Sequence, residues 1–462
     1  MHKTGILTTL TAGLLAGCSM APKHVRPATP APSVYSAEIA SDSSTGVYAP
    51  KLGWRDFIQD ERLEALIATS LEKNRDLRIA VAQIEEARGV YRVQRADRLP
   101  SVAVTGEGTR SQVDGDGSVE VDRAVVGVAV PAFELDLWGR VRSLSEAARS
   151  QYLATVAAQR AVQLSLIREV ASTYLGSVEA AERIRLAEAT VQSRREGLRI
   201  AQVRLEAGIT SALDYRQAES LLTQAEAQLA SLRLTRARLE NALAVLVGGP
   251  VDSLMPEPLP LEQQASTIAL APGLTSDLLT ARPDIIAAEE RLRAARANIG
   301  AARAAFFPRI SLTGLFGYAS SELEDLFSGS TETWSFGPTI TMPLFNYGKN
   351  RANLSVARAR EDIAVATYER TIQNAFREVS DGLAGRQYLA EQVAAQERAT
   401  EAQRAIAELA RERYNEGVVG YLEVLDAERN LFAAEQALLQ LRRAQAENLI
   451  SLYVTLGGGL IE

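Results

Sequence analysis

Asp76–Pro100 reads DLRIAVAQIEEARGVYRVQRADRLP, and Asp284–Pro308 reads DIIAAEERLRAARANIGAARAAFFP. Laid over one another they keep an offset of 208 from Asp76/Asp284 to Pro100/Pro308, with Arg88 on Arg296. Each reads as an Ala-rich amphipathic helix that closes on Leu-Pro or Phe-Pro. Further along, the offset becomes 209. Gly139 falls on Gly348, Arg168-Glu169-Val170 on Arg377-Glu378-Val379 and Gly208 on Gly417. Glu219 falls on Glu428, and Gly248-Gly249 on Gly457-Gly458. Solenoid repeats have periods of about 20–45 residues. A period this long marks a two-copy duplication instead.

Both copies keep one order. A helix comes first, over 60–98 and 278–306. A weakly alternating region follows, over 101–131 and 309–343. A very long helical stretch runs over 140–206 and 349–415, then a Gly-containing turn and a second long helix over 214–247 and 423–456. The chain therefore divides into a signal segment (1–17), an extended Pro-rich arm (18–53), a first repeat (54–248), a Pro-rich connector (249–277) and a second repeat (278–462).

The alternating regions have the period of β-strands. Ile310, Leu312, Gly314, Phe316 and Tyr318 occupy alternate positions, as do Trp334, Phe336, Pro338, Ile340 and Met342. The first copy is weaker: Val102 and Val104, then Ala124, Val126, Val128 and Val130. Each run is about 10 residues, enough for a tilted membrane strand. Soluble hairpins packed on the helices fit the same pattern. If the strands are in lipid, four cannot close a barrel, because an open edge leaves backbone groups unpaired. Several protomers would then have to share one barrel.

A helix over 140–206 extends roughly 100 Å at 1.5 Å per residue. Leu164, Ile167, Ala171, Tyr174 and Val178 follow 3,4,3,4 spacing, and Ile372, Phe376, Val379 and Leu383 follow 4,3,4. That is the coiled-coil period. Heptads alone fit either a rod or a barrel of helices.

Composition excludes whole classes of function. The 462 residues are 47% apolar and 23% charged, with a net charge of −7. There is no basic footprint for nucleic acid. The single cysteine, Cys18, and both histidines, His2 and His24, lie in the first 24 residues. The rest of the chain can supply no thiolate nucleophile, Ser-His-Asp triad, disulfide or His/Cys zinc site. No phosphate-binding G-x-x-x-x-G-K-[ST] loop occurs. Asp114-Gly115-Asp116-Gly117-Ser118 lacks the spacing and terminal glutamate of a calcium loop and reads as a solvated turn. An enzyme is not expected, nor any cofactor or metal.

The apolar stretch Gly5–Ala16 is too short to span a bilayer and suits a secretory signal. It ends in Leu15-Ala16-Gly17-Cys18, which resembles a bacterial lipobox with Cys18 as the lipid attachment point. Ser19 follows, which favours the outer membrane over inner-membrane retention.

Taken together, these residues resemble the TolC-like outer-membrane efflux channels, in their OprM/NodT-type lipoprotein branch. The resemblance covers nearly the whole chain. It rests on Cys18-Ser19 with Ala21-Pro22 and Arg26-Pro27, then Trp54, Phe57 and Leu63. The strongest segment is Arg282-Pro283-Asp284-Ile285, running through Ala287-Ala288-Glu289 to Phe306-Phe307-Pro308. Gly417 with Tyr421-Leu422 and Leu425-Asp426-Ala427 completes it.

The resemblance implies an α+β membrane protein. Three protomers would each give four strands to one twelve-stranded outer-membrane barrel, and their long antiparallel coiled-coil helices would form a periplasmic α-barrel. It implies a homotrimer, anchored in outer-membrane lipid, that works with a periplasmic membrane-fusion adaptor and an inner-membrane resistance-nodulation-division pump. It would export drugs or other small toxic compounds passively. The helix-tip turns are then Gly208 and Gly417. Leu422 and Asp426 match the family's periplasmic gate, with Tyr421 and Asp214 beside it. The chemistry of helix ends accounts for part of this cluster: Gly permits positive φ at a C-terminus, and Asp214 lies near an N-terminus. A protein-secretion conduit and a pore-free periplasmic coiled-coil lipoprotein remain the competing readings.

Overall fold

The computed structural model describes residues 19–28, 30, 46–113, 119–251, 255–264, 268–271, 278–328 and 331–461. The expected lipidation residue Cys18 and the turn Asp114–Ser118 lie outside them. Two compact units make up the fold. Among the described residues, one contains 19–28, 82–157 and 286–370; the other contains 30, 46–81 and those within 158–285 and 371–461.

The elements run β1 (Val47–Tyr48), α1 (Trp54–Phe57), α2 (Glu61–Lys73), α3 (Arg75–Ala96), β2 (Ala103–Val113), β3 (Val119–Leu135), α4 (Arg140–Glu206) and α5 (Ala212–Val247). Then come β4 (Leu270–Ala271), α6 (Leu278–Ala281), α7 (Pro283–Ala304), β5 (Arg309–Ser320), β6 (Glu332–Thr341), α8 (Lys349–Asn415) and α9 (Tyr421–Thr455). The two long helices have 67 residues each, at the positions expected from sequence. Two details differ. The helix expected over 60–98 is broken at Asn74, whose side chain accepts from Leu77 N (3.0 Å) and donates to Leu246 O (2.8 Å). It closes α2 and caps α3. The corresponding break in the second copy is Arg282-Pro283, where Pro takes the first helical position, which needs no N–H donor. Within the expected arm, β1 pairs in parallel with β4 of the connector.

In the first unit the strands form one sheet in the order β2-β3-β5-β6, antiparallel throughout. Register places Val104, Val128, Phe316 and Trp334 in one row across all four strands. Directly paired residues share a face. The same face carries Val126, Val130, Phe133, Leu312, Tyr318, Phe336 and Ile340. The opposite face carries Thr105, Glu107, Ser311, Thr313, Ser335 and Thr339. A bulge between Val130 and Phe133 adds one residue to β3 and keeps Phe133 and Leu135 on the apolar face. Without it, every later side chain of β3 would change sides. Phe316 and Trp334 are exposed in the chain, at 59% and 74%. The apolar face therefore has no cover from the protein's own helices at these positions.

In the second unit, Leu164, Ile167, Ala171, Tyr174 and Val178 are all buried, as the heptad spacing requires. Asp60 holds this unit together. Its buried carboxylate accepts from Arg62 N (2.8 Å), Leu63 N (3.2 Å), Tyr174 Oη (2.6 Å), Leu259 N (3.1 Å) and Gln264 Nε2 (2.5 Å). One side chain thus caps α2 and ties it to α4 and to the connector. Burial, then the bond to Asp60, raises the Tyr174 hydroxyl far above its ordinary value.

Candidate functional site

Both long-helix pairs turn by the same backbone device. Gly208 has φ 71° and Gly417 has φ 76°. At the first turn Ile209 N donates to Arg204 O (2.8 Å) and Gly208 N to Leu205 O (3.0 Å). At the second, Val418 N donates to Arg413 O (2.9 Å) and Gly417 N to Tyr414 O (3.0 Å). These bonds satisfy the last carbonyls of each helix and require a left-handed residue. A Cβ on either glycine would meet nothing within 4 Å, so φ alone demands glycine.

The next helices start differently. Ser211 caps α5, accepting from Asp214 N (3.2 Å), while Asp214 Oδ2 accepts from Thr210 Oγ1 (2.6 Å), Ser211 Oγ (2.9 Å) and Ser211 N (3.1 Å). This is a reciprocal capping box. The bond from Thr210, then those from Ser211, lower the Asp214 carboxyl. In the second copy Gly420 stands where Ser211 does and gives no side-chain cap. Glu423, the counterpart of Asp214, pairs instead with Arg413 of α8 at 2.7 Å. Asp214's bonds are those of a helix cap within its own turn.

The first turns of α9 separate the remaining predicted residues by face. Leu422 and Asp426 are four apart and share one face. Leu422 is 54% exposed. Asp426 is also exposed and pairs with Arg429 at 3.2 Å. Tyr421 turns the other way. It packs with Ala407, Ala410, Val424 and Ala427, and its ring lies 5.1 Å from that of Tyr414. Burial first, then the Glu428 charge, pushes its hydroxyl up to about 12. The structure therefore unites Leu422 with Asp426 and places Tyr421 in the packing behind them.

Sequence reading missed the groups that anchor this packing. Gly197 in α4 leaves the room that the Tyr421 hydroxyl occupies. Glu428 accepts from Arg411 and from Ser193 Oγ (3.3 Å). Arg194 is buried and donates to Leu221 O at 2.7 Å; burial lowers its guanidinium below the usual value. An unexplained glycine inside a long helix is the one signal that pointed here, since Gly costs roughly 0.5–1 kcal/mol against Ala in a helix interior.

Known proteins resemble the chain over most of its length. The family model described as "Outer membrane efflux protein" matches residues 66–249 and again residues 274–458. The solvent efflux pump outer membrane protein SrpC of Pseudomonas putida is 44% identical over 455 residues, covering 96% of each chain. The cation efflux system protein CusC of Escherichia coli strain K12 is 40% identical over 460 residues, covering 99% of this chain and 100% of CusC. The open-state crystal structure of the Neisseria gonorrhoeae MtrE outer membrane channel superposes with a TM-score of 0.87 at 39% identity, covering 96% of this chain and 99% of that one.

Proposed function

Because the chain belongs to the outer membrane efflux protein family, we propose that it is the outer-membrane channel of a tripartite efflux system, built from three copies. The uncovered apolar face of the four-stranded sheet carries this reading. Among the described residues no helix is long and apolar enough to cross a membrane. The row Val104, Val128, Phe316 and Trp334 suits lipid, and the opposite face of Thr and Ser residues with Glu107 suits a wet lumen. Four strands leave two edges, and edges are not tolerated in hydrocarbon. Three copies give twelve strands and remove every edge.

The long helices of three copies then form the periplasmic duct. Lipid on Cys18 anchors each copy. A periplasmic adaptor and an inner-membrane resistance-nodulation-division pump deliver cargo to the turns at Gly208 and Gly417. Leu422 and Asp426 lie on an exposed face that threefold symmetry would bring around one axis. Three carboxylates with an apolar constriction restrict passage by charge and dewetting. The adaptor would open this tip by binding the open arrangement better than the closed one. Tyr421 and the capped turn at Asp214 hold the gate helices. Cargo is small toxic compounds selected by the pump. SrpC carries solvent in its name and CusC carries cation at similar identity, so likeness to either does not decide this chain's cargo.

Chemical cross-linking of the purified full chain in lipid nanodiscs tests the assembly. A limiting species of three copies is expected. A monomer or dimer as the limiting species would refute the shared barrel.

A further inference from the structure

The duplication relates contacts inside one repeat to contacts inside the other. Arg88 donates to Tyr152 Oη at 3.3 Å, and their counterparts, Arg296 and Glu361, pair at 2.8 Å. Gly139 and Gly348, which precede the long helices, have φ of 70° and 82°. Between the repeats, one seam is closed within the chain. There β3 of the first repeat pairs with β5 of the second. Trp138 stacks on Phe307 with ring centroids 4.8 Å apart and donates from Nε1 to Pro308 O at 2.8 Å. Ala147 of α4 packs with Ala297 of α7.

The equivalent seam, from the second repeat back to the first, is open. Its strands are the two free edges of the sheet, β6 and β2. Tyr347, the counterpart of Trp138, is 92% exposed, and Leu99, the counterpart of Phe307, is 72% exposed. Val356, the counterpart of Ala147, is also exposed. Gly89, the counterpart of Ala297, is an exposed glycine inside α3 where a Cβ would meet nothing within 4 Å. Glycine weakens a helix interior, and nothing in its own chain requires one here. Tyr347 is also the only non-glycine among the described residues with positive φ, at 50°. Such strain persists where surroundings hold it, yet this ring has almost no cover from its own chain.

We propose that a second copy of the chain closes the open seam with the contacts of the closed one. Tyr347 of one copy lies on Leu99-Pro100 of the next, and its hydroxyl donates to Pro100 O as Trp138 Nε1 does to Pro308 O. Val356 fills the space that Gly89 leaves, a larger side chain against a smaller one where the closed seam has two alanines. The contact is head to tail, since position 347 meets position 99 and not itself; such contacts close into rings. It rests on the three-copy barrel proposed above, whose copies these residues would hold together.

The test uses the full chain in lipid nanodiscs carrying Leu99→Cys and Tyr347→Cys together, treated with a mild oxidant and run on non-reducing gels. Leu99 precedes β2 and Tyr347 follows β6, so within one chain they stand three strand spacings apart, about 14 Å. A disulfide needs Cα atoms within about 7 Å, so this pair can link only between copies. Linked species up to three copies are expected, in several-fold higher yield than from either single variant. Gly89→Cys with Val356→Cys should link in the same way and keeps the test decisive if the first pair folds poorly. All four positions are exposed in the chain, so the substitutions leave its own packing intact. Amine cross-linking of the same samples counts the copies independently. Three copies with neither cysteine pair linked, or single variants that link as well as the pairs, would overturn this seam and leave the shared barrel standing. A monomer or dimer as the amine cross-linking limit would overturn both.

Discussion

Gly197 of α4 yields its side-chain space to the hydroxyl of Tyr421 on α9; a Cβ at 197 would overlap that oxygen. The contact joins α9 to α4. Gly197→Ala is expected to destabilise by about 1–3 kcal/mol, as overpacking does, although Ala is the better helix former. Thermal unfolding of the two proteins checks it. A higher melting temperature in the variant would mean that the tyrosine has slack.

The two turn glycines are demanded by φ, with open space around both. Gly208→Ala and Gly417→Ala should each cost about 1–2 kcal/mol, the left-handed penalty for a residue with a Cβ. Asn tolerates that conformation better than Ala. Asn at either position should therefore recover part of the loss in denaturant unfolding. Equal losses for Ala and Asn would mean that something other than φ selects glycine there.

Asp60 accepts five hydrogen bonds from a buried position. Asp60→Ala removes a helix cap, worth about 1 kcal/mol, and strands buried donors at about 1–3 kcal/mol each. A loss of about 3 kcal/mol or more is expected. Tyr174→Phe should cost only about 1 kcal/mol, because it removes one donor and leaves the others paired. Chemical denaturation of both variants tests this order, and a Tyr174→Phe loss as large as that of Asp60→Ala would reverse it.

Burial alone would raise the Glu289 carboxyl, but bonds from Arg26, Arg293 and His24 outweigh it, and its folded value lies below the ordinary one. A carboxylate lowered on folding adds stability above its unfolded value, near about 4.3, and loses that contribution as pH falls through the folded value. The parent should be more stable than Glu289→Gln at pH 7. The gap should close as pH drops below about 4. Melting temperatures taken from pH 7 to pH 3 would show it; a gap that widens on acidification would contradict the assignment.

Much of the fold was legible because its signals are long. A 67-residue helix carries its period over many turns, and a 209-residue offset repeats landmarks that chance does not. The strands were legible as period two, but not the row that joins Val104 to Trp334. Row membership depends on register across four strands and on the bulge after Val130. Asn74 looks like one more polar residue in the run Glu72–Asp76, and its role depends on Leu246, 172 residues away. Arg194, Glu428 and the Glu289 cluster were hidden for the same reason. On a helix surface they look like any solvated charge until another part of the chain covers them. The two turns also differ where the repeat offset aligns them: Gly420 stands where Ser211 does and gives no side-chain cap, and Glu423 pairs with Arg413.

Whether Leu422 and Asp426 close a pore separates a gated channel from a pore-free coiled coil. Single-channel recording of the purified full chain in planar bilayers, beside Asp426→Ala, tests this most directly. Discrete conductance steps are expected from both proteins, with Asp426→Ala open for a larger share of the time and passing more current when closed. Absence of discrete steps from correctly inserted protein would contradict the channel. Equal closed-state current in the two proteins would contradict the gate.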